Sequence, residues 1–306
     1  MAQWRALLDA PVVPLDEGAL VIAAHASARP RGNDLGNADP MGRDDTPRMG
    51  RDDITQMGRY DTAPEMGQYD TAPEMGRYDI AAQMGRLDDL ASEVRVPTAD
   101  GVCRLLFADL GLRGNASDYD DPRNSFLDQV LDRRLGIPIS LSVLLIEVGR
   151  RCGVELEGIG MPGHFLVRDR DRPDALIDAF GAGRRLDRDA CRALLGRVTG
   201  TRLDFDPALS RPAAPVAILA RMLANLDRCY RSRGDASSLL CVSRLRGAVP
   251  GRSVAEQTEL AGQLADLGAM GDAADLLEGL AADPRLPEEA VDRLRQRALS
   301  LRALLN

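Results

Sequence analysis

Residues 137–180 read IPISLSVLLIEVGRRCG, VELEGIGMPGHFLVR, DRDRPD and ALIDAF, and the change of rhythm within them decides the fold. From 137 to 146 nearly every position is apolar, so a helix here has no solvent face and belongs inside the molecule. Arg150, Arg151 and Gly153 mark its end. Beyond Gly153 the pattern turns into short β-prone runs, VELEGIGM, HFLVR and ALIDAF, separated by PG and by the polar DRDRPD turn. A buried helix followed by at least three short strands predicts an α+β fold with a mostly antiparallel sheet.

Working outward, TADGVCRLLFADLGL reads as a helix capped by Thr98 and ended near Gly111. A polar loop, RGNASDYDDPRN, separates it from SFLDQVLDRRLG, where Ser125 and Asp128 form a capping-box variant and Gly136 a stop. Downstream, LDRDACRALLGR returns to helix. From Pro215 everything is helical, at 216–232, 236–247, 253–268, 271–282 and 287–304. Gly-Asp pairs at 234–235 and 271–272 recur 37 residues apart, near the tetratricopeptide period. Two hairpins and a capping helix, or a plain helical bundle, both fit.

The amino-terminal side is different in kind. Residues 1–29 hold short helical patterns, with Asp16 and Glu17 placed to start one, and 30–40 is loop chemistry. A tandem repeat then starts at Met41, Met49, Met57, Met66 and Met75, with a degenerate copy at Met84 that reads as a helix start, MGRLDDLASEV. Units of eight or nine residues, each with Gly and acids and often Pro, bury too little to offset their ordering entropy. The expected layout is an N-terminal helical segment over 1–40 and a low-complexity, largely disordered insertion over 41–91. An α+β core over 92–210 and a helical tail over 211–306 follow. Deleting 41–83 is expected to leave the fold intact.

Net charge of -8 and a pI near 5.0 argue against an electrostatic nucleic-acid binder and a polybasic membrane anchor, while leaving room for a small local basic patch. All 39 basic residues are arginines, so no lysine serves as a Schiff base or general base. Cys103, Cys152, Cys191, Cys229 and Cys241 lack metal-binding spacing and read as reduced thiols. No metal and no cofactor are expected. The first residues, MAQWRALLDAPVVPLDEG, lack a signal's apolar stretch, and no apolar run reaches membrane-spanning length. The expectation is a cytoplasmic protein.

Two histidines are present. His25 sits in a weakly patterned helix and reads as inert. His164 begins a strand after Pro162-Gly163, and Asp178 lies on the next strand in an apolar setting where a carboxylate needs a partner. Strand alternation places His164, Leu166 and Arg168 on one face, so His164 and Asp178 can meet across neighbouring strands. By itself such a pair is more often structural than catalytic.

The run DPRNSFLDQVLDRRLGIPISLSVLLIEVGRRCGVELEGIGMPGHFLVR, with ALIDAF after it, resembles the SirB-type transglutaminase-like family, whose members often carry tetratricopeptide repeats behind the core. The resemblance implies a papain/transglutaminase-like core with a central buried helix and a small antiparallel sheet. It also implies a nucleophile heading that helix, a histidine starting one strand and an aspartate on the next. His164 and Asp178 take the last two places. At the first, the chain reads Ile137, Pro138, Ile139, Ser140, with no cysteine. Cys152 is at the wrong end of the helix and Cys191 follows both partners in the chain. Ser140 is the nearest hydroxyl, although serine at a helix start is above all a capping residue. The resemblance places Arg123 and Asn124 beside His164 as cleft-lining residues; the alternative is that Asn124 and Ser125 only cap the next helix.

The leading expectation is therefore a transglutaminase-like protein without the catalytic cysteine, acting as an interaction or regulatory module for a protein or peptide partner. A hydrolase or acyl-transfer enzyme using Ser140, His164 and Asp178 is the alternative, and a thiol sensor at Cys152 or Cys191 a third.

Overall fold

A computed structural model describes residues 1–26, 78–200 and 211–305. Helices α1 (Ala2–Leu8) and α2 (Leu15–Ala26) are followed by α3 (Ile80–Ser92). Next comes α4 (Ala99–Cys103), which runs on as a π-helical turn over Arg104–Asp109. Strand β1 (Arg113–Gly114), a 3-10 turn (Pro122–Ser125), α5 (Leu127–Arg133) and β2 (Leu135–Gly136) lead into α6 (Pro138–Arg151). The sheet follows as β3 (Leu156–Met161), β4 (His164–Asp169), β5 (Leu176–Asp178) and β6 (Arg184–Leu186). Helices α7 (Arg188–Thr199), α8 (Pro215–Arg233), α9 (Ala236–Gly247), α10 (Val254–Asp266), α11 (Met270–Ala281) and α12 (Glu288–Ala303) complete the chain. Among the described residues no helix is long and apolar enough to cross a membrane.

The deciding stretch folds as its pattern dictates. Every residue of α6 from Pro138 to Gly149 is buried. Its apolar surround is covered on one side by the sheet and on others by α2, α3 and α8. The four strands pair antiparallel in the order β3-β4-β5-β6. Phe165, Val167, Ile177 and Ala179 pack into the core that contains α6, whereas Leu166, Leu176 and Leu186 meet Cys191, Leu194 and Leu195 of α7 on the other face. Strand β6 was not foreseen, because RRL carries almost no apolar signal. A two-residue turn, Pro162-Gly163, joins β3 to β4. Gly163 has φ 68°, and a Cβ there would lie 2.3 Å from Val198 Cγ1, so glycine is required twice over.

Local details depart from the expected caps. Ser125, expected to open the helix, instead closes a 3-10 turn that Asp121 starts, its carboxylate accepting from the Arg123 amide. Phe126 occupies the N-cap of α5, so the Ser125–Asp128 box does not form. Arg134, at φ 58°, ends α5, and Gly136 pairs with Gly114 in a short parallel ladder. The repeat copies over 41–77 lie outside the described residues. Helix α3 begins at Ile80, within the fifth copy, with Asp79 capping the Ala82 amide. The interval 78–91 is thus ordered structure, and a deletion through residue 83 removes the first turn of a helix that buries Leu87.

Packing draws its border later than residue 210. One apolar core joins Trp4, Leu20 and Ile22 to α6, the sheet, Leu219 and Leu223 of α8, and Val242 and Leu245 of α9. Trp4 Nε1 donates to Leu245 O (2.9 Å) and Tyr230 Oη to Ala26 O (2.9 Å), tying the two ends of that core together. A separate cluster holds α10, α11 and α12 through Leu260, Leu264, Leu277 and Leu294. The Gly-Asp pairs are not equivalent: Gly234 and Asp235 form the α8–α9 turn, whereas Gly271 and Asp272 lie inside α11. The structural counterpart of Gly234 (φ 66°) is Gly268 (φ 82°), 34 residues on.

Candidate functional site

His164 opens β4 and Asp178 closes β5. The observed register sets Val167 opposite Ile177, so Leu166 faces Asp178 and His164 is its diagonal neighbour on the same face. His164 Nε2 lies 2.9 Å from Asp178 Oδ1, and both residues are buried. Burial pushes the Asp178 carboxyl upward, but the hydrogen bond from His164, its charge, the Gly181 amide and Arg184 outweigh it, and the pKa ends below the ordinary value. An ionised carboxylate only accepts, so Nε2 is the donor in this bond. Among the described residues Nδ1 has no hydrogen-bond partner. Phe180 stands edge-on to the imidazole, with centroids 6.0 Å apart. Arg221 of α8 donates to the carbonyls of Met161 (2.7 Å) and His164 (2.6 Å), bracing the turn that presents the histidine.

His164 and Asp178 open onto a cavity of about 570 Å³. The first turn of α6 reaches it through Pro138 and Ile139, the 113–124 loop through Ala116 and Tyr119, and α7 through Leu194, Arg197 and Val198. Ser140 does not line it. Its hydroxyl donates to the carbonyl of Asn124 (2.5 Å), has the Ile137 carbonyl at 3.2 Å, and accepts from the Ile137 amide (3.1 Å). No hydrogen bond joins Ser140 to His164. The triad expected from the sequence is thus brought together only in its His–Asp half; the serine faces away because it satisfies backbone groups at the buried helix start.

Arg123 and Asn124 are likewise not lining residues. Arg123 extends to solvent and pairs with Asp121, which Arg133 also holds. Burial raises the Asp121 carboxyl, but Arg123 and Arg133 outweigh it and leave the pKa low. Asn124 is fully buried: its Oδ1 accepts from Asn115 Nδ2 and its Nδ2 donates to the carbonyl of Asp118. These bonds hold the loop that carries Ala116 and Tyr119, so both residues act on the cavity at one remove.

None of the five cysteines reaches the cavity. Burial pushes the Cys103 thiol up to about 12 and the Cys191 thiol up to about 11. Cys152, at the carboxyl end of α6, donates to the carbonyls of Val148 and Gly149 and is also raised by burial. His25 accounts for itself structurally, with Nδ1 at 2.9 Å from Val21 O and Nε2 near the amino terminus. Among the described residues no cluster of three or more His, Cys, Asp or Glu is arranged to hold a metal ion.

The sequence reading missed what else surrounds the histidine. Arg184, Arg197, Arg221 and Arg228 all line the cavity. They come from three separate elements with nothing in common along the chain, and only their convergence in space reveals them.

Comparison with known proteins agrees with this architecture. Residues 78–224 match the transglutaminase-like superfamily, an interval that takes in α3 and the first half of α8 as well as the sheet. A UPF0162 protein of Xylella fastidiosa is 44% identical over 155 residues, covering 49% of this chain and 55% of that protein. A UPF0162 protein of Pseudomonas aeruginosa is 38% identical over 114 residues, 37% of this chain and 42% of its own. Human F-box only protein 21 is 36% identical over 143 residues, 44% of this chain but 22% of that protein. The chain thus spans about half the length, or less, of these curated relatives. No solved structure matches it significantly.

Proposed function

We propose, taking residues 78–224 as a transglutaminase-like superfamily domain, that the chain is a non-catalytic interaction or regulatory module of the SirB type. In this reading its cleft beside His164 holds a protein or peptide partner in the cytoplasm. The observation that carries it is the furnishing of the first turn of α6. Where a thiol enzyme of this architecture needs its nucleophile, Pro138 and Ile139 face the cavity, and the hydroxyl at that helix start, on Ser140, is bonded to Asn124 and Ile137. A general base without a nucleophile in reach has nothing to activate. The buried His164–Asp178 pair then serves to shape and polarise the cleft wall.

Two further observations support a module. A similar stretch forms only a fifth or so of the much longer human F-box only protein 21, as a part reused in a larger chain would. Left-handed glycines 34 residues apart, at 234 and 268, match the tetratricopeptide period and favour a repeat-like tail over a plain bundle. Tails of that kind offer concave surfaces to partners.

The test is covalent. The purified chain is treated with a fluorophosphonate for activated serine and with iodoacetamide for activated thiol, and modified residues are located by mass spectrometry. No stoichiometric labelling at neutral pH is expected. Labelling of Ser140 that disappears in His164→Ala would overturn the proposal.

A further inference from the structure

The cleft beside His164 has a charge opposite to that of the whole molecule. The chain carries a net -8, yet Arg184, Arg197, Arg221 and Arg228 line this cavity against one carboxylate, Asp178, which already accepts from His164. Several little-exposed arginines elsewhere are held by acids: Arg133 by Asp121, Arg151 by Asp16, Arg185 by Asp169, Arg246 by Asp227. Among the described residues Arg221, half-buried in the cleft, has no such acid. Among the described residues Arg184 and Arg197 have no ion pair, and the guanidinium of Arg221 meets only the carbonyls of Met161 and His164 and the face of Phe165. Arg228 has an exposed partner, Asp120, at 3.3 Å. Burial of Arg221 without a counter-ion depresses its pKa, the mark of a cation whose environment lacks an anion.

We propose that this cleft binds an acidic peptide segment, its carboxylates taken by Arg184, Arg197 and Arg221 and an apolar side chain lying against Tyr119 and Phe180. The proposal names the partner class of the interaction module and rests on that reading. Spacing selects a peptide over a compact anion. Arg221 and Arg228 stand two helical turns apart on α8, about 10 Å along its axis, while Arg184 comes from β6 and Arg197 from α7. Successive Asp or Glu residues of an extended chain can offer a separate carboxylate to each of these cations, which a single phosphate does not. Guanidinium groups suit carboxylates by their paired donors. Tyr119 and Phe180 meet edge to face, with centroids 6.2 Å apart, and supply an apolar wall between the charges.

The experiment measures fluorescence anisotropy on the full chain with two labelled peptides, EDFEDYE and its neutral counterpart QNFQNYQ. The acidic peptide should bind and the neutral one should not. Raising salt from about 50 to about 300 mM should weaken binding severalfold, as screened contacts do. Arg184→Gln with Arg197→Gln, both at exposed positions, should weaken it at least tenfold while circular dichroism melting stays unchanged. If the pair melts early, Arg197→Gln alone should still lower affinity severalfold. Equal binding of both peptides, unchanged affinity in the variants, or displacement by inorganic phosphate at the peptide's own concentration overturns the inference. Mass spectrometry of the peptide afterwards separates the two ideas: cleavage or transfer refutes the non-catalytic module while leaving acidic recognition standing, and an intact but unbound peptide refutes this inference alone.

Discussion

The hydroxyl of Ser140 donates to the backbone carbonyl of Asn124 across 2.5 Å, joining the start of the central helix to the loop that walls the cleft. Both residues are fully buried. The same oxygen accepts from the Ile137 amide, so one side chain satisfies two backbone groups that water cannot reach. Ser140→Ala is therefore expected to lower unfolding free energy by about 2 kcal/mol, read from urea midpoints, and to leave binding in the cleft close to wild type. A loss of function without loss of stability would contradict this assignment.

Ile139, unlike Ser140, faces the cavity from the first turn of α6. A thiol placed there would feel orphan helix amides and the neighbouring imidazole, both of which favour a thiolate. The native thiols have the opposite setting, with Cys103 pushed up to about 12 and Cys191 up to about 11. Ile139→Cys is expected to react with iodoacetamide at pH 7 at least tenfold faster than any native cysteine, and His164→Ala in that background should slow it. Peptide mapping of alkylation rates checks this; equal rates at position 139 and at the native sites would show that the helix start does not activate a nucleophile.

Asp178 titrates below its ordinary value in the folded chain, net of burial. A depressed carboxylate contributes stability that is fully present above the unfolded pKa of about 3.9 and disappears as pH falls through the folded one. Asp178→Asn should thus cost roughly 2 kcal/mol at neutral pH, as loss of a charged hydrogen bond does. The difference from wild type should shrink once pH drops below about 4. Thermal melts of both proteins across that range provide the measurement.

Asp16 ties α2 to α6 through Arg151 at 2.6 Å and Arg150 at 2.9 Å, and Glu147 shares both arginines. Burial raises both acids. For Asp16 the hydrogen bond from Arg151 and the arginine charges prevail and its pKa falls; for Glu147 burial and the Asp16 charge prevail and its pKa rises. Their pH effects oppose: Asp16 stabilises above the ordinary carboxylate range, whereas the stability linked to Glu147 is full in acid and lost as pH rises through its elevated pKa. Asp16→Asn is expected to lower stability at pH 7 by about 2 kcal/mol, partly relieved because Glu147 then ionises more readily. A shift in urea midpoint at constant slope checks it.

How far the sequence carried the reading depended on whether a feature was local. The apolar run 137–146 could only be a buried helix, and the alternation through HFLVR and LIDAF brought His164 beside Asp178 without any knowledge of the tertiary fold. Side-chain direction within a helix start was less legible: Pro138, Ile139 and Ser140 are consecutive, and which of them meets the cleft depends on helix phase fixed by the sheet and the 113–124 loop. Strand β6 and the cleft arginines left no periodic trace, since RRL is polar and Arg184, Arg197 and Arg221 are separated by unrelated segments. Gly271-Asp272 copies the letters of Gly234-Asp235 without copying their conformation, because it lies inside α11, and the left-handed glycine there is Gly268.

The border between the two apolar cores predicts where the chain can be shortened. Helices α8 and α9 bury Leu219, Leu223, Leu226, Val242 and Leu245 in the same core as α6, whereas α10 to α12 pack chiefly on one another. The junction is crossed by Leu240 and Leu267 and by a polar network in which Gln263 Nε2 donates to Asp227 (2.8 Å) and to Ser243 (2.9 Å), and Arg231 reaches back to Gln263. On removal of α10 those groups meet water, and Asp227 keeps Arg231 and Arg246, so the loss is modest. Truncation after Gly251 is therefore expected to leave a cooperatively folding chain with a melting temperature a few degrees lower. Truncation after Ala214 strips whole helices from the central core, and large apolar losses of that kind exceed the stability of a typical domain. Melting followed by circular dichroism distinguishes the two: a cooperative transition in the shorter product, or none in the longer, would place the border elsewhere.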